Sequence, residues 1–234
     1  MKIALLGYGK MGKVIESIAI SRGHEVSLKI DENSEDYDLK TVDVAIDFST
    51  PEAAVKNISK GLKSNIPVIS GTTGWLSEME TVKTLCANTK GAFIYASNFS
   101  LGVNIVFELN KNLAKMMKNL TNYQVAIEEI HHTEKQDAPS GTAISLAEAV
   151  LENSAYEAWE LAPATDVNKI EITAKRQPNV PGTHTLSYNS KIDRISLRHT
   201  AYNREGFGLG AVVAAEWIIG KTGVYTMKDV LNIK

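Results

Sequence analysis

Cysteine and long apolar runs are nearly absent from this chain of 234 residues. The single cysteine, Cys86, excludes an intrachain disulfide bond and a cysteine-ligated metal cluster. No segment approaches the roughly 20 apolar residues that span a membrane, and the apolar run at residues 2–6 meets a glycine too early for a signal peptide. The net charge of −2 gives no general attraction for nucleic acid or an anionic membrane. We therefore expect a cytoplasmic protein whose partners include neither nucleic acid nor membrane.

A glycine-rich turn follows the first apolar segment. Residues 2–7 have the composition of a strand, and YGKMGKVIESIAISRG then places apolar side chains at helical spacing. The spacing of Gly7, Gly9 and Gly12 is the G-x-G-x-x-G of dinucleotide-binding turns. In that setting the first glycine makes the tight turn, the second lets a pyrophosphate approach the backbone and the third lets the helix pack closely. Free N–H groups at the start of the helix would then hold the phosphates.

The end of the second predicted strand bears on the choice of cofactor. Residues 25–30 lead to Asp31, 19 residues after Gly12, where a carboxylate accepts hydrogen bonds from the ribose of the adenosine. The alternative is an ordinary acidic loop residue. Segment 31–38, DENSEDYD, has five acidic residues and no basic one, so a 2′-phosphate would meet like charges. We expect NADH to be preferred and NADPH to be possible, since Lys29 is a nearby cation that could weaken this argument.

Strands and helices alternate through the first hundred residues. Further predicted strands cover residues 42–48, 67–70 and 92–96. The alternation predicts a Rossmann-like, doubly wound parallel sheet, and in such sheets ligands lie beyond the carboxyl ends of the strands. The segments at those ends are residues 7–12, 71–73 and 96–99. Taken alone, GTTG at residues 71–74 is equally compatible with a plain turn.

The pattern changes near residue 100. A long amphipathic helix is followed by strands with few helices between them, which predicts a mostly antiparallel sheet. A helix of small residues at 206–220 would return to the first domain. The predicted fold class is therefore α/β with an appended α+β domain. Residues 1–100, completed by residues 205–234, would form the dinucleotide-binding domain, and residues 101–204 the substrate-binding and oligomerisation domain.

The segment IEEIHHTEKQDAPSGTA at residues 127–143 gathers several protonatable groups. A strand predicted at residues 123–130 leads to His131 and His132, which would point to opposite faces if the strand continued. Lys135 follows before a turn, and the Ser-Gly-Thr at 140–142 opens a helix whose positive end suits an anion. Catalysis and a solvated histidine pair with a simple helix cap are both compatible with this spacing. A metal site is disfavoured, because adjacent histidines lack the i, i+4 spacing of a helical zinc pair.

Several motifs together resemble one enzyme family. GYGKMG, GTTG, ASNFSLGVN, EEIHHTEKQDAPSGTA and RHTAYNREGFGLGA occur in the order found in the dihydrodipicolinate reductases, also called 4-hydroxy-tetrahydrodipicolinate reductases. The resemblance runs from residue 1 to the last long helix, and its H-H-x-x-K-x-D-A-P-S-G-T-A segment is highly specific. The family reduces a dicarboxylate intermediate of the diaminopimelate route to lysine with NADH or NADPH, and its members are typically homotetramers. One departure is Glu32, which stands where the family often has a basic residue.

The resemblance also implies roles for individual residues. His131 would be the catalytic acid/base and Lys135 a proton donor, while His132, Gly141 and Thr142 would bind the substrate. The implied cofactor-binding residues are Gly7, Tyr8, Gly9, Lys10, Met11, Gly12, Asp31, Gly71, Thr72, Thr73, Ala96, Ser97, Asn98 and Phe99. No metal ligand is implied.

Other functions explain less of the sequence. A different Rossmann-type dehydrogenase acting on an amino or imino acid would share the first half but would not account for the 127–143 segment. A nucleotide-sensing regulator would need a basic recognition helix. A cysteine-dependent aldehyde dehydrogenase is disfavoured, because Cys86 is predicted to be buried in the middle of a helix.

Overall fold

The computed structural model describes residues 1–34 and 37–233, so Glu35 and Asp36 of the acidic 31–38 segment lie outside the described residues. The chain divides into two compact units, Met1–Leu101 with Arg204–Lys234, and Gly102–Asn203. The elements, in chain order, are β1 (Lys2–Leu6), α1 (Lys10–Ser21), β2 (Glu25–Ile30), β3 (Val44–Asp47), α2 (Pro51–Lys63), β4 (Val68–Ser70), α3 (Met79–Asn88), β5 (Ala92–Tyr95), α4 (Leu101–Met117), β6 (Gln124–His131), α5 (Gly141–Leu151), β7 (Ala158–Leu161), β8 (Lys169–Arg176), β9 (Gly182–Asn189), β10 (Arg194–Ala201), α6 (Glu205–Ile218), β11 (Gly223–Tyr225) and α7 (Met227–Val230).

The first unit is built on a six-stranded sheet in the order β11-β5-β4-β3-β1-β2. Every pairing in it is parallel, as the strand–helix alternation predicts. The carboxyl ends of its strands therefore share one edge, which carries the loops after β1, β2, β3, β4 and β5. The predicted Rossmann-like fold class is confirmed.

Apolar helices cover both faces of this sheet. On one face Ile3, Leu5 and Ile46 pack with residues of α1 and α6, including Ile15 and Val212. On the other face the alternate strand residues pack with α2 and α3, and Cys86 is buried among them. Because successive strand residues point to opposite faces, a buried parallel strand must be apolar throughout, as residues 3–6 are.

The second unit holds a five-stranded sheet in the order β10-β9-β6-β8-β7. One face carries the third apolar core, in which Val125 and Ile127 of β6 pack with Ala143, Leu146 and other residues of α4 and α5. The prediction of mostly antiparallel pairing is only half right. β6–β9 and β9–β10 are antiparallel, but β6–β8 and β7–β8 are parallel. The helix α5 makes the crossover from β6 to β7, which returns the chain in the parallel direction, and β8 then pairs parallel to both strands.

Among the helices of the described residues, none is long and apolar enough to cross a membrane.

Two glycines of α6 allow a test of how this helix packs. A Cβ atom on Gly210 would lie 1.7 Å from the carbonyl oxygen of Phe99, whereas one on Gly206 would meet only Ser100 Oγ, at 3.8 Å. We expect Gly210→Ala to lower the free energy of unfolding by about 3 kcal/mol, because the helix must move off the 96–99 loop. Gly206→Ala is the control and should be neutral or slightly stabilising, since alanine favours helix. Urea unfolding measures both, and equal midpoints would contradict this packing.

Candidate active site

His131 ends strand β6 on the face that packs into the core. The alternating burial of β6 places Val125, Ile127, Glu129 and His131 on this buried face. The prediction that the strand ends at Ile130 is therefore one residue short. His131 belongs to the ladder, and its carbonyl oxygen accepts a hydrogen bond of 2.8 Å from the backbone N–H of Gln177. The strand thus fixes the backbone that carries this imidazole.

Glu129 and Arg176 form a buried charge network with His131. The carboxylate of Glu129 is fully buried, and its Oε2 makes a short hydrogen bond with Nδ1 of His131. Its Oε1 accepts a hydrogen bond of 3.0 Å from Nη1 of Arg176. Burial raises the pKa of Glu129, but the bonds to His131 and Arg176 outweigh it and leave the pKa below its usual value. The carboxylate is therefore ionised at neutral pH.

Arg176 also holds the loop that carries Lys135. Its Nε and Nη2 donate hydrogen bonds of 3.3 Å and 2.7 Å to the carbonyl oxygens of Lys135 and Asp137. The Lys135 ammonium in turn contacts both carboxylate oxygens of Asp137 at 2.7 Å. Burial raises the pKa of Asp137, but the contacts with Lys135 and Arg176 lower it by more, so the net shift of the pKa is downward. The loop therefore presents a cation whose position depends on β8.

The start of helix α5 meets the same end of the sheet. Ser140 is the N-cap, and its Oγ accepts a hydrogen bond of 3.2 Å from the N–H of Ala143. The same Oγ lies 2.9 Å from Nε2 of His184. Gly141 and Thr142 are the first two residues of the helix, and a Cβ on Gly141 would meet nothing within 4 Å. The positive end of the helix is thus open where the resemblance implies substrate binding.

The two neighbouring histidines have different environments. His184 is buried, and its ring lies edge-on to that of His131 with centroids 5.0 Å apart. Burial, aided by the nearby charge of His131, lowers the pKa of His184 to about 3. His132 is half-buried, and its Nδ1 has no hydrogen-bond partner within the described part of the chain. A buried polar atom of this kind is a natural contact for a ligand.

In the first unit, the glycine-rich turn has the geometry that its sequence predicts. Gly7 has a φ of +102°, and a Cβ there would lie 2.1 Å from the carbonyl oxygen of Phe48. A Cβ on Gly12 would lie 2.6 Å from the carbonyl oxygen of Gly7. By contrast, Gly9 precedes α1 with open space around its missing side chain. This open position is where the sequence predicts a pyrophosphate to approach, and Tyr8, Lys10 and Met11 flank it in the chain.

Asp47 organises the neighbouring loops but was not among the site residues predicted from the sequence. It is fully buried at the end of β3, and burial raises its pKa against four hydrogen bonds that lower it. The donors are Ser49 Oγ at 2.6 Å, Ser70 Oγ at 2.9 Å, Thr72 Oγ1 at 2.8 Å and Asn57 Nδ2 at 3.0 Å. The side chain of Thr72 therefore points into the protein, while Gly71 and Thr73 stay accessible at the strand end.

The other predicted cofactor residues differ in exposure. Asp31 is exposed after β2 and accepts hydrogen bonds of 3.0 Å from the N–H of Asn33 and from Ser34 Oγ. The loop after β5 contains Ala96, Ser97, Asn98 and Phe99, and Asn98 Oδ1 accepts a bond of 2.8 Å from the N–H of Ser100. Phe99 is buried against Phe48, with ring centroids 5.7 Å apart. Its side chain supports the loop from inside and offers a cofactor little surface.

The site residues predicted from the sequence did not include three residues of this site, namely Glu129, Arg176 and His184. Glu129 carried a signal, because it interrupts an apolar alternation at a position that must face the core. Arg176 and His184 carried none, since each reaches the site only through strand pairing, opposite His131 and Glu129 respectively.

The depressed pKa of His184 gives a pH dependence of stability. In the unfolded chain this imidazole takes up a proton below about pH 6.5, while the folded protein resists protonation down to about pH 3. Its contribution to stability is thus present above pH 6.5 and is lost as the pH falls towards 3, by about 2 kcal/mol at pH 5. His184→Gln should lose less free energy of unfolding than wild type between pH 7 and pH 5. Urea titrations at both values measure this, and identical losses would rule out a buried neutral His184.

Comparisons with known proteins agree over nearly the whole chain. Residues 38–99 match the family profile of dihydrodipicolinate reductase, N-terminus, and residues 102–231 match that of its C-terminus. A 4-hydroxy-tetrahydrodipicolinate reductase of Christiangramia forsetii is 57% identical over 99% of this chain and 98% of the relative. The enzyme so named from Thermosipho africanus is 36% identical over the same shares. The dipicolinate-bound dihydrodipicolinate reductase from Paenisporosarcina sp. TG-14 has a TM-score of 0.80 at 21% identity, over 100% of this chain and 99% of its own, and shares the fold. The resemblance read from the motifs is confirmed, and the chain belongs to the dihydrodipicolinate reductase family.

Proposed function

We propose that this chain is an NAD(P)H-dependent reductase that converts 4-hydroxy-tetrahydrodipicolinate to tetrahydrodipicolinate in the diaminopimelate route to lysine. The observation that carries the proposal is the cluster at the end of β6. There a carboxylate-paired His131, the Lys135 loop and the open start of α5 belong to one compact unit. The solved relative that is bound to dipicolinate supports a small dicarboxylate as the ligand.

The chemistry needs a proton that the chain itself must supply. When bound, the reduced nicotinamide supplies the hydride, and the substrate gains one proton and loses its hydroxyl as water. His131 is the proton donor in this proposal, because its imidazole is held by Glu129 at one nitrogen. The Lys135 ammonium stabilises the negative charge that develops on the ring. The first residues of α5, Gly141 and Thr142, receive a substrate carboxylate, and Nδ1 of His132 offers a further polar contact.

Cofactor binding belongs to the first unit in this proposal. The open space at Gly9 and the start of α1 would hold the pyrophosphate, and exposed Asp31 would accept hydrogen bonds from the adenosine ribose. Gly71, Thr73 and the 96–98 loop lie at the ends of the adjacent parallel strands β4 and β5. Family membership supports NAD(P)H as the hydride donor.

The preference for NADH is supported by the environment of Lys29. Its ammonium lies 2.5 Å from Glu16 Oε1 and 5.0 Å from the centre of the Tyr8 ring. Tyr8 also donates a short hydrogen bond to Glu16. The hydrogen bonds from Lys29 and Tyr8 lower the pKa of Glu16. The Glu16 carboxylate therefore stays charged and remains paired with the Lys29 ammonium. The nearby cation is thus already paired, and exposed Asp31 and Glu32 face a 2′-phosphate with like charge.

We expect NADH to bind more tightly than NADPH, and Glu16→Gln to narrow the difference. Releasing Lys29 would give a 2′-phosphate a partner worth about 1 kcal/mol, the scale of an exposed ion pair, or roughly a fivefold change in relative affinity. Fluorescence titration of both cofactors, at low and high salt, measures it. Equal affinities in the wild type at low salt would refute the charge argument, and Glu80→Gln on α3 is a control of the same type.

The reaction is tested by supplying the product of the preceding synthase and following the loss of reduced-nicotinamide absorbance. His131→Ala and Lys135→Ala should each lower kcat by about 10²- to 10⁴-fold, the usual contribution of acid–base catalysis. NADH should still bind both variants. Lys83→Ala is the matched control, because Lys83 also pairs with a carboxylate, Glu80, but on a surface helix of the first unit. Near-normal turnover in both active-site variants would dismiss this site.

The predicted homotetramer is supported by exposed apolar residues at one edge of the second sheet. Its edge strand β10 is exposed at alternate positions, and Ile192, Ile195 and Tyr202 lie open in or beside it. Apolar residues in such positions are typical of surfaces that pair with another copy.

A further inference from the structure

Glu129 stands where the pattern of β6 calls for an apolar side chain. Val125 and Ile127 precede it on the same face and are packed in the apolar core. Its carboxylate has no exposed surface at all. Burying an ionised carboxylate is costly unless it is paired and hydrogen-bonded. The placement therefore calls for a function that an apolar residue would not perform.

The partners of Glu129 divide its two oxygens between a cation and the imidazole. Arg176 Nη1 donates to Oε1, and Nδ1 of His131 meets Oε2. An ionised carboxylate can only accept hydrogen bonds, so Nδ1 of His131 must carry a hydrogen. The tautomer of a neutral His131 is thereby fixed, and Nε2 is the ring nitrogen left for a ligand.

Strand β9 borders the space beside Nε2 of His131. A Cβ atom on Gly182 of this strand would lie only 3.1 Å from Nε2. The His184 ring lies edge-on to the His131 ring, and Ser140 Oγ lies 2.9 Å from Nε2 of His184. A larger residue at 182 would occupy the space next to Nε2, which the glycine keeps open.

We propose that Glu129 is a positioning residue for the reduction: it holds His131 with Nδ1–H inward so that Nε2 donates the proton to substrate. The inference rests on the proposed function and deepens it. Glu129 touches no substrate and keeps its own charge throughout. When Nε2 carries a proton, the ring is a cation whose charge the carboxylate stabilises; when Nε2 has given it up, the ring is neutral and Nδ1–H remains.

The charged and titratable groups that face this pair come from each neighbouring element. Arg176 is on β8, His184 is on β9, and Lys135 and Asp137 are in the loop after β6. His199 of β10 lies directly opposite His184 in the β9–β10 pair. Arg176 is already engaged by Glu129 and His184 is neutral, so the carboxylate is the group whose removal changes the charge felt by His131 most directly.

A bound cation is the competing explanation of the same cluster. Ligand atoms of Glu129, His131 and His184 lie within 4.8 Å of one another. Each of these residues, however, already has a hydrogen-bond partner, namely Arg176 and His131 for Glu129 and Ser140 for His184. A guanidinium beside the carboxylate also disfavours a second positive charge there.

The test compares Glu129→Gln and Glu129→Asp with wild type. Glu129→Gln keeps the size but can present an N–H to Nδ1, which reverses the tautomer. We expect its kcat to fall about 10²-fold or more, with a KM that changes little. Activity that requires protonated His131 should also decline at lower pH than in wild type, because the imidazolium has lost its carboxylate. Glu129→Asp retains the charge and should restore the wild-type pH profile at least in part.

Controls separate this inference from the proposed function. Glu148→Gln, on the exposed side of α5, should leave kcat and the pH profile unchanged. Wild type that fails to reduce the substrate would refute the proposed function itself. Active wild type with an unchanged kcat and pH profile in Glu129→Gln would refute only the positioning role.

Nitrogen NMR of the His131 ring gives a readout that needs no turnover. In wild type the Nδ1–H tautomer should dominate when the ring is neutral, and the Nε2–H form should gain in Glu129→Gln. If Glu129→Gln does not fold, the wild-type tautomer and Glu129→Asp still decide the outcome. Loss of activity on dialysis against a chelator, with recovery on adding zinc, would overturn the inference in favour of a metal site.

Discussion

A fully buried carboxylate must find charged or polar partners, and Glu129 imposes this constraint on the second unit. To pair this carboxylate, β8 must place Arg176 next to Glu129, and Nδ1 of His131 must turn inward. The sheet meets the requirement by register: Arg176 lies beside His131 in the parallel pair β6–β8, and His184 lies opposite Glu129 in the antiparallel pair β6–β9. The mixed character of this sheet is therefore part of how the site is assembled.

The two units solve the problem of a buried carboxylate at a strand end in opposite ways. Asp47 is surrounded by hydroxyl and amide donors, and burial prevails, so that its pKa is raised. Glu129 is surrounded by a guanidinium and an imidazole, and the pKa falls. Neutral donors suit a residue that only holds loops in place, whereas cationic partners keep a carboxylate charged. The pattern of partners thus distinguishes a structural carboxylate from one able to act on a proton donor.

Much of the first unit was predictable because its signals are local. Strand–helix alternation gave the parallel sheet, and the glycine spacing gave a turn that the positive φ of Gly7 now explains. The second unit was harder, since its short strand β7 and the parallel pairing of β6 with β8 have no local signature. His131 and Lys135 came from a motif, but Arg176 and His184 are 45 and 53 residues from His131 in the chain. Only strand register brings such residues together, and register was not readable from this sequence.

Besides the carbonyl oxygen of its neighbour Lys175, Arg176 reaches three acceptors: the carboxylate of Glu129 in β6 and the carbonyl oxygens of Lys135 and Asp137 in the following loop. The planar guanidinium therefore links the carboxylate that pairs with His131 to the loop that carries the Lys135 ammonium. Lysine at 176 could satisfy the carboxylate yet would release the loop, because a single ammonium cannot span the same set of acceptors. In the proposed reaction, the proton donor His131 and the stabilising ammonium of Lys135 therefore depend on the same guanidinium, and a change at Arg176 would disturb both.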